Sequence, residues 1–323
     1  MNRTPDFAIA APDLSRWRGG NTGIEGVWQF DSGRPGRSVL VTALVHGNEL
    51  CGAWVLKELL EAGVRPRHGR LALAFCNLAA FDRFDAAAHD AARFVEEDMN
   101  RQWSVDRLDG GQSLERRRAK ALQPVVAGAD WLLDLHSMHE PGEALLLTGL
   151  QPRNLSLAKD LGAPAHVVVD AGHSDGVRLR DYGRLGQPHD AAPDTRSLLV
   201  ECGFHGDAGS IVVARDVCAR FLELSGCLDG HDLAALLPRW RQPPPPRQWA
   251  LHVTGAVVAR SARFRFSQPF VGLEVIARAG TVIGDNDGEP VTTPYDDCVL
   301  VMPSTRQARQ GVTVVRFARR EPL

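Results

Sequence analysis

Tyrosine is scarce in this 323-residue chain: Tyr182 and Tyr295 stand against seven tryptophans and twelve phenylalanines. A phenol at a reactive centre therefore has only those two sources. Long apolar runs are missing as well. No stretch approaches the roughly 18 residues of a membrane span. The opening "MNRTPDFAIAAPDLSRW" lacks the apolar core of about 7–15 residues that a secretory leader needs. The expectation is a soluble, cytoplasmic protein. Charge of one sign is not in excess: 37 Lys and Arg meet 39 Asp and Glu, a formal net charge of -2. This argues against nucleic acid or a membrane surface as partner. The six cysteines (Cys51, Cys76, Cys202, Cys218, Cys227, Cys298) form no CxxC pair, which speaks against a thiolate zinc site. They read as reduced, buried thiols. What remains is 44% hydrophobic and 24% charged, enough for a substantial globular core. No interface signal stands out, and a homo-oligomer stays open.

The clearest boundary is "RWRQPPPPRQW", residues 239–249. Four prolines in a row cannot continue a helix or donate to a sheet, and they read as a stiff linker. Before them, apolar strand-like runs ("SVLVTALV", "RLALAFC", "DWLLDLH", "AHVVVD", "SLLVECG") alternate with helix-like segments. That pattern predicts an α/β domain over 1–240 with a mostly parallel mixed sheet flanked by helices. After them, 241–323 holds short β runs separated by Gly, Pro and Asp turns, which predicts a small C-terminal all-β domain.

Three of the strand runs end on a polar residue: His46, His136 and Glu201. In an open α/β sheet ligands bind outside the carboxyl ends of the strands, so the strand reading collects these residues on one rim. Glu49 follows His46 by three residues at a strand-to-helix junction, where both side chains can turn to one point. His46, Glu49 and His136 make two imidazoles and a carboxylate, the ligand set of a catalytic zinc site with one position open. An HxxE alone is weak; its rival is a rim histidine satisfied by backbone. The stretch "RFVEEDMNRQW" adds Arg93, Asp98, Asn100 and Arg101. Two arginines and an asparagine beside a metal could stabilise an oxyanion and hold a carboxylate. Asp98 could fix the tautomer of a ligating histidine. Asp134 could do the same or be a solvated strand-end carboxylate. Glu201 closes a buried strand, a costly place for a carboxylate without a task, and general base is the task that fits.

In this order, "HGNE", "DMNR", "DLHS" and "VECG" resemble the succinylglutamate desuccinylase/aspartoacylase family of the zinc-carboxypeptidase superfamily, over roughly residues 35–225. The resemblance implies a zinc-carboxypeptidase-like fold and one Zn2+ per chain on His46, Glu49 and His136. It implies Arg93 as the group that polarises the scissile carbonyl, and Asn100 and Arg101 as binders of a substrate carboxylate. Glu201 would be the base that activates water. The reaction implied is hydrolysis of a small N-acyl amino acid to a carboxylic acid and a free amino acid. A peptide-cleaving metallocarboxypeptidase and an inactive zinc- or ligand-binding relative are the alternatives.

There are departures. "CNLAAF" has Leu78 after Asn77, where relatives often have proline. Family members can bring an aromatic hydroxyl from the C-terminal domain; here Tyr295 in "TTPYDDC" could serve or be a plain turn residue. Tyr182 lies in a Gly- and Arg-rich loop whose Arg178, Arg180 and Arg184 could read an acidic group or simply face solvent. His139 and His205 read as rim or supporting histidines. His173 and His189 suggest no role.

Overall fold

A computed structural model of the chain describes residues 7–172 and 175–323; His173 lies outside them. The apolar runs become strands: β1 (Val27–Asp31), β2 (Ser38–Ala43), β3 (Arg70–Phe75), β4 (Trp131–Met138), β5 (Leu145–Leu147), β6 (His166–Val169) and β7 (Arg196–Phe204). β3, β2, β4 and β7 lie side by side and parallel; β1 and β5 pair antiparallel to β3 and β7. The helices are α1 (Leu50–Glu61), α2 (Leu78–Phe81), α3 (Val105–Asp109), α4 (Leu114–Ala127), α5 (Pro152–Leu161), α6 (Gly209–Leu224) and α7 (Gly230–Leu236).

Strand side chains alternate between faces, and here both faces are covered. Val39, Val41 and Ala43 of β2 join Leu133 and Leu135 of β4 against α1 and α6. Leu40 and Leu132 point the other way, against Ala119, Leu122 and Val126 of α4. This is why the strands read as continuous apolar runs. Each fully buried leucine contributes roughly 1.5–3 kcal/mol by leaving water, which holds the strand ends firmly. Gly52 lets α1 approach closely: a Cβ there would collide with Ala43 and Leu135 at the ends of β2 and β4. All six cysteines are buried free thiols.

After the prolines come β8 (Trp249–Val258), β9 (Arg265–Phe266), β10 (Val275–Ile276), β11 (Val282–Asn286), β12 (Glu289–Thr292), β13 (Cys298–Val301) and β14 (Thr313–Pro322). β9, β11 and β12 form a small antiparallel sheet. β8 pairs parallel with β6, and β14, β13 and β10 follow it, so the central sheet continues to eleven strands. The C-terminal strands have a core of their own around Val257, Phe264, Ile283 and Leu300. They also share a second cluster with β5 and β7, in which Leu145, Leu147 and Leu199 meet Leu251, Val299, Val301 and Ala318. No helix among the described residues is long and apolar enough to cross a membrane.

Candidate active site

The site is built where β2, β4 and β7 end. Beyond β2 the backbone turns through Leu44 in the left-handed region, φ 57°, and delivers His46. Gly47 follows at a point where a Cβ would strike the backbone of Ala80, Phe81 and Ala92. Glu49 immediately precedes α1. Its carboxylate does not cap the helix; it turns back, with Oε1 2.7 Å from His46 Nδ1 and Oε2 2.7 Å from His136 Nδ1. His136 is level with Glu201 across the β4–β7 pair. All four residues are buried.

Both imidazoles are held from behind. His46 Nε2 lies 3.0 Å from Asp98 Oδ1, and His136 Nε2 lies 2.8 Å from Asp134 Oδ2. Asp134 is wholly buried and also accepts from Thr42 Oγ1 at 2.6 Å, so it is not a solvated strand-end carboxylate. Each ring therefore has Nε2 engaged by an aspartate and Nδ1 turned to Glu49, the arrangement by which outer carboxylates orient metal-bound histidines. The ligand atoms of His46, Glu49 and His136 lie within 4.8 Å of one another. A buried pair of imidazoles with a carboxylate between them is a donor set suited to a divalent cation, so the residues fit a metal. Burial opposes ionisation of Glu49, yet His46 and His136 hold its carboxyl well below the usual range. Burial likewise opposes charge on His136, yet Asp134 and Glu49 raise its pKa well above the ordinary value.

Arg93 reaches the same place. Its Nη1 donates to Glu49 Oε1 at 3.3 Å and its Nη2 to Asp98 Oδ2 at 3.1 Å. The segment that carries it is tied down by Glu115, which is fully buried on α4 and accepts from the amides of Val95, Glu96 and Glu97. Asn100 accepts from the Leu179 amide at 2.9 Å, and Arg101 Nε donates to Asp175 at 3.0 Å. Glu201 has one carboxylate oxygen buried with no hydrogen-bond partner among the described residues. Burial and the nearby Glu49 push its pKa up to about 8.

One cavity of about 190 Å³ is lined by His46, Glu49, Arg93, Asp98, Asn100, Arg101, His136 and Glu201 together. All eight residues singled out from the sequence thus converge. The two tyrosines do not line it: Tyr182 packs on Trp103 with ring centroids 5.7 Å apart, and Tyr295 bonds Thr254. Arg178 and Arg180 are buried rather than solvated. Arg178 forms a two-pronged pair with Asp170 at 3.0 Å and also meets Asp181; Arg180 meets Asp181 and the backbone of Thr148 and Ser197. Arg184 lies half exposed beside Asp130. His139 lines the cavity and meets Arg93 Nη1 at 3.3 Å and Gln307 Nε2 at 3.1 Å. His205 is buried against Ser137 Oγ at 2.8 Å. Sequence reading missed the C-terminal contribution: Leu273, Met302, Gln307 and Arg316 also line the cavity.

The α/β sheet with a buried His–Glu–His group at its strand ends has the aspartoacylase/zinc-carboxypeptidase-like fold. Residues 35–189, just under half of the chain, match the model of the succinylglutamate desuccinylase/aspartoacylase catalytic domain. A protein of Parasynechococcus marenigrum named "Probable aspartoacylase" is 35% identical over 187 residues, which cover 54% of this chain and 53% of that one. The succinylglutamate desuccinylase of Paraburkholderia xenovorans is 38% identical over 112 residues, 31% of each chain. The matched regions thus span about half and about a third of these relatives. Among solved structures, succinylglutamate desuccinylase from Vibrio cholerae superposes with a TM-score of 0.61 at 17% identity, covering 91% of this chain and 85% of that one. Murine aminoacylase 3 gives 0.57 at 18% identity, covering 90% and 97%. At such identities these two show the fold.

Proposed function

We propose that the protein is a zinc-dependent deacylase that hydrolyses the amide bond of a small N-acyl amino acid. The observation that carries this reading is the position of Glu201. It lies level with His136 on the adjacent strand, buried, in the same cavity as the His46–Glu49–His136 group and Arg93. Zinc held by His46, Glu49 and His136 would supply a Lewis acid at that point.

The chain's own groups do the rest. Glu201 takes a proton from the attacking water and returns it to the amine as the C–N bond breaks. A carboxyl whose pKa is pushed to about 8 gives up and regains a proton near neutrality. Arg93, with its Nη1 and Nη2 already turned to the centre, donates to the carbonyl oxygen as negative charge grows there. Asn100 and Arg101 hold the substrate carboxylate. Asp98 and Asp134 keep both imidazoles in the tautomer whose Nδ1 is a free donor atom. Amide and water give one carboxylate and one amine, with the proton passing through Glu201.

Peptide cleavage at a C-terminus uses the same chemistry but needs room for a long chain. Leu273, Met302 and Gln307 on the cavity wall favour a small substrate. The test is amine release from a panel of N-acyl amino acids by zinc-loaded protein, with Glu201→Gln as control. Release by the wild type alone supports the reading. Turnover of peptides and of no N-acyl amino acid would replace it with a carboxypeptidase.

A further inference from the structure

On β7 the side chains of Leu199 and Glu201 face the same way, because strand positions alternate. β5 runs antiparallel beside it, and its register sets Leu145 opposite Glu201 and Leu147 opposite Leu199. All four line the cavity. They form a two-by-two block in which the proposed base is flanked by three nearly fully buried leucines. The C-terminal segment packs Leu273 and Met302 against the apolar cluster that contains these leucines.

Those two residues have something else in common. Leu273 has φ 69° and Met302 has φ 51°, the left-handed region that bulky side chains rarely occupy. Six non-glycine residues among those described have positive φ, and two of them are the apolar pair in this cavity. Strain of this kind persists where the surrounding structure enforces it, and it clusters at ligand sites.

Three arginines of the cavity are already engaged by carboxylates. Arg93 is engaged by Glu49 and Asp98, Arg101 by Asp175, and Arg178 by Asp170 and Asp181. The clamp of Asn100 and Arg101 accounts for one substrate carboxylate. A second one placed on the leucine wall would lie beside Glu201 with its charge desolvated, which is costly. Two further arginines from the C-terminal segment, Arg309 and Arg316, line the cavity, and a substrate with a second carboxylate would meet them there.

Resting on the deacylase reading above, we propose that the leucine wall, closed by Leu273 and Met302, binds an uncharged apolar group. The substrates are then N-acyl amino acids with a single carboxylate and an apolar chain, not doubly acidic ones such as N-acetylaspartate or N-succinylglutamate. The experiment compares kcat/KM of the zinc-loaded full chain along two ladders. One varies the acyl group on glycine from acetyl to hexanoyl; the other varies the side chain of N-acetyl amino acids from alanine to leucine and phenylalanine. The acidic pair is run beside them. The expected result is a rise along one ladder of about 10-fold or more, the size a hydrophobic pocket gives for an added methylene, with the acidic pair below its top. Met302→Gly should abolish most of that rise without lowering Tm, because glycine relaxes the left-handed backbone. A preference for the doubly acidic substrates, lost in Arg316→Ala, would overturn the proposal while leaving the deacylase reading in place. Silence from every substrate would overturn the deacylase reading. Thermal shifts then decide the wall: stabilisation by N-acetylleucine above N-acetylaspartate supports it, and the reverse order overturns it.

Discussion

Replacing Asp134 by asparagine separates the metal role of the buried aspartates from their structural one. Asp134 is wholly buried, with Oδ2 2.8 Å from His136 Nε2 and Oδ1 accepting from Thr42 Oγ1 at 2.6 Å. Asparagine has nearly the same shape. Its carbonyl oxygen can accept from His136 Nε2–H while its amide donates to the Thr42 hydroxyl, whose own proton turns to the Leu133 carbonyl 3.4 Å away. Both existing contacts keep a partner, one amide N–H is added without one, and Glu49 remains as counter-charge to His136. The fold then loses only the difference between a charge-assisted and a neutral hydrogen bond, about 1 kcal/mol. In a chain of this size that lowers Tm by about 2 °C. Metal binding loses more. The carboxylate behind a ligating imidazole raises its basicity and fixes its orientation, and removing such a partner weakens metal affinity about 10–100-fold, which is roughly 1.4–2.7 kcal/mol.

The assay is competition with a chelator of known zinc affinity, alongside thermal unfolding of the metal-free and zinc-loaded protein. Asp134→Asn should bind zinc about 10–100-fold more weakly with metal-free Tm almost unchanged. Asp134→Ala is the contrast: it leaves His136 Nε2–H without an acceptor and the Thr42 hydroxyl with only the Leu133 carbonyl at 3.4 Å, and breaking a buried pair this way costs about 3–5 kcal/mol. Unchanged zinc affinity in Asp134→Asn would refute the assignment of His136 Nδ1 as a ligand oriented from behind.

Three further outcomes follow from the site. Glu201→Gln keeps its metal and loses kcat by about 10²-fold or more; normal turnover removes Glu201 from the mechanism. Arg101→Ala raises KM for carboxylate-bearing substrates and leaves metal content alone, and an unchanged KM places the clamp elsewhere. Glu115→Ala strips an acceptor from the amides of Val95, Glu96 and Glu97 and from Asn77 Nδ2 at 3.2 Å. It should cost at least about 3 kcal/mol, since hydrogen bonds to a charged group are worth about 1.5–3 kcal/mol each and four are lost, some of them recoverable by water. It should also lower kcat by loosening Arg93 while zinc is retained. A wild-type unfolding curve for that variant would show that the segment is held by something else.

The convergence of His46, Glu49 and His136 was legible because its geometry is local. His46, His136 and Glu201 each interrupt an apolar run near its carboxyl end, and parallel neighbours bring such ends together whatever the rest of the chain does. Arg93, Asp98, Asn100 and Arg101 were legible by type and order, although Glu115, which holds their segment, gave no sign beyond being a glutamate in a helix. What stayed hidden depends on register or on distant partners. Asp134 reads equally as solvated or as buried until β2 places Thr42 opposite it. Arg178 and Arg180 sit in a loop rich in glycine and arginine, and only the arrival of Asp170 and Asp181 makes their burial tolerable. The C-terminal strands carry an all-β pattern, but nothing in that pattern says that β8 joins β6 or that β14 brings Arg316 to the cavity. Tyr295 drew notice as a phenol in a turn, and its turn faces Thr254 instead. Leu273 and Met302, which do line the cavity, are apolar side chains at left-handed positions. An ordinary leucine or methionine gives no warning of such a backbone, because the strain is imposed by the elements around it and not by the residue. The apolar wall is therefore the feature for which structure adds most to sequence. Under the proposed function it is also where the choice among N-acyl substrates would be made, since the proposed metal, base and clamp residues would handle groups that all of them share.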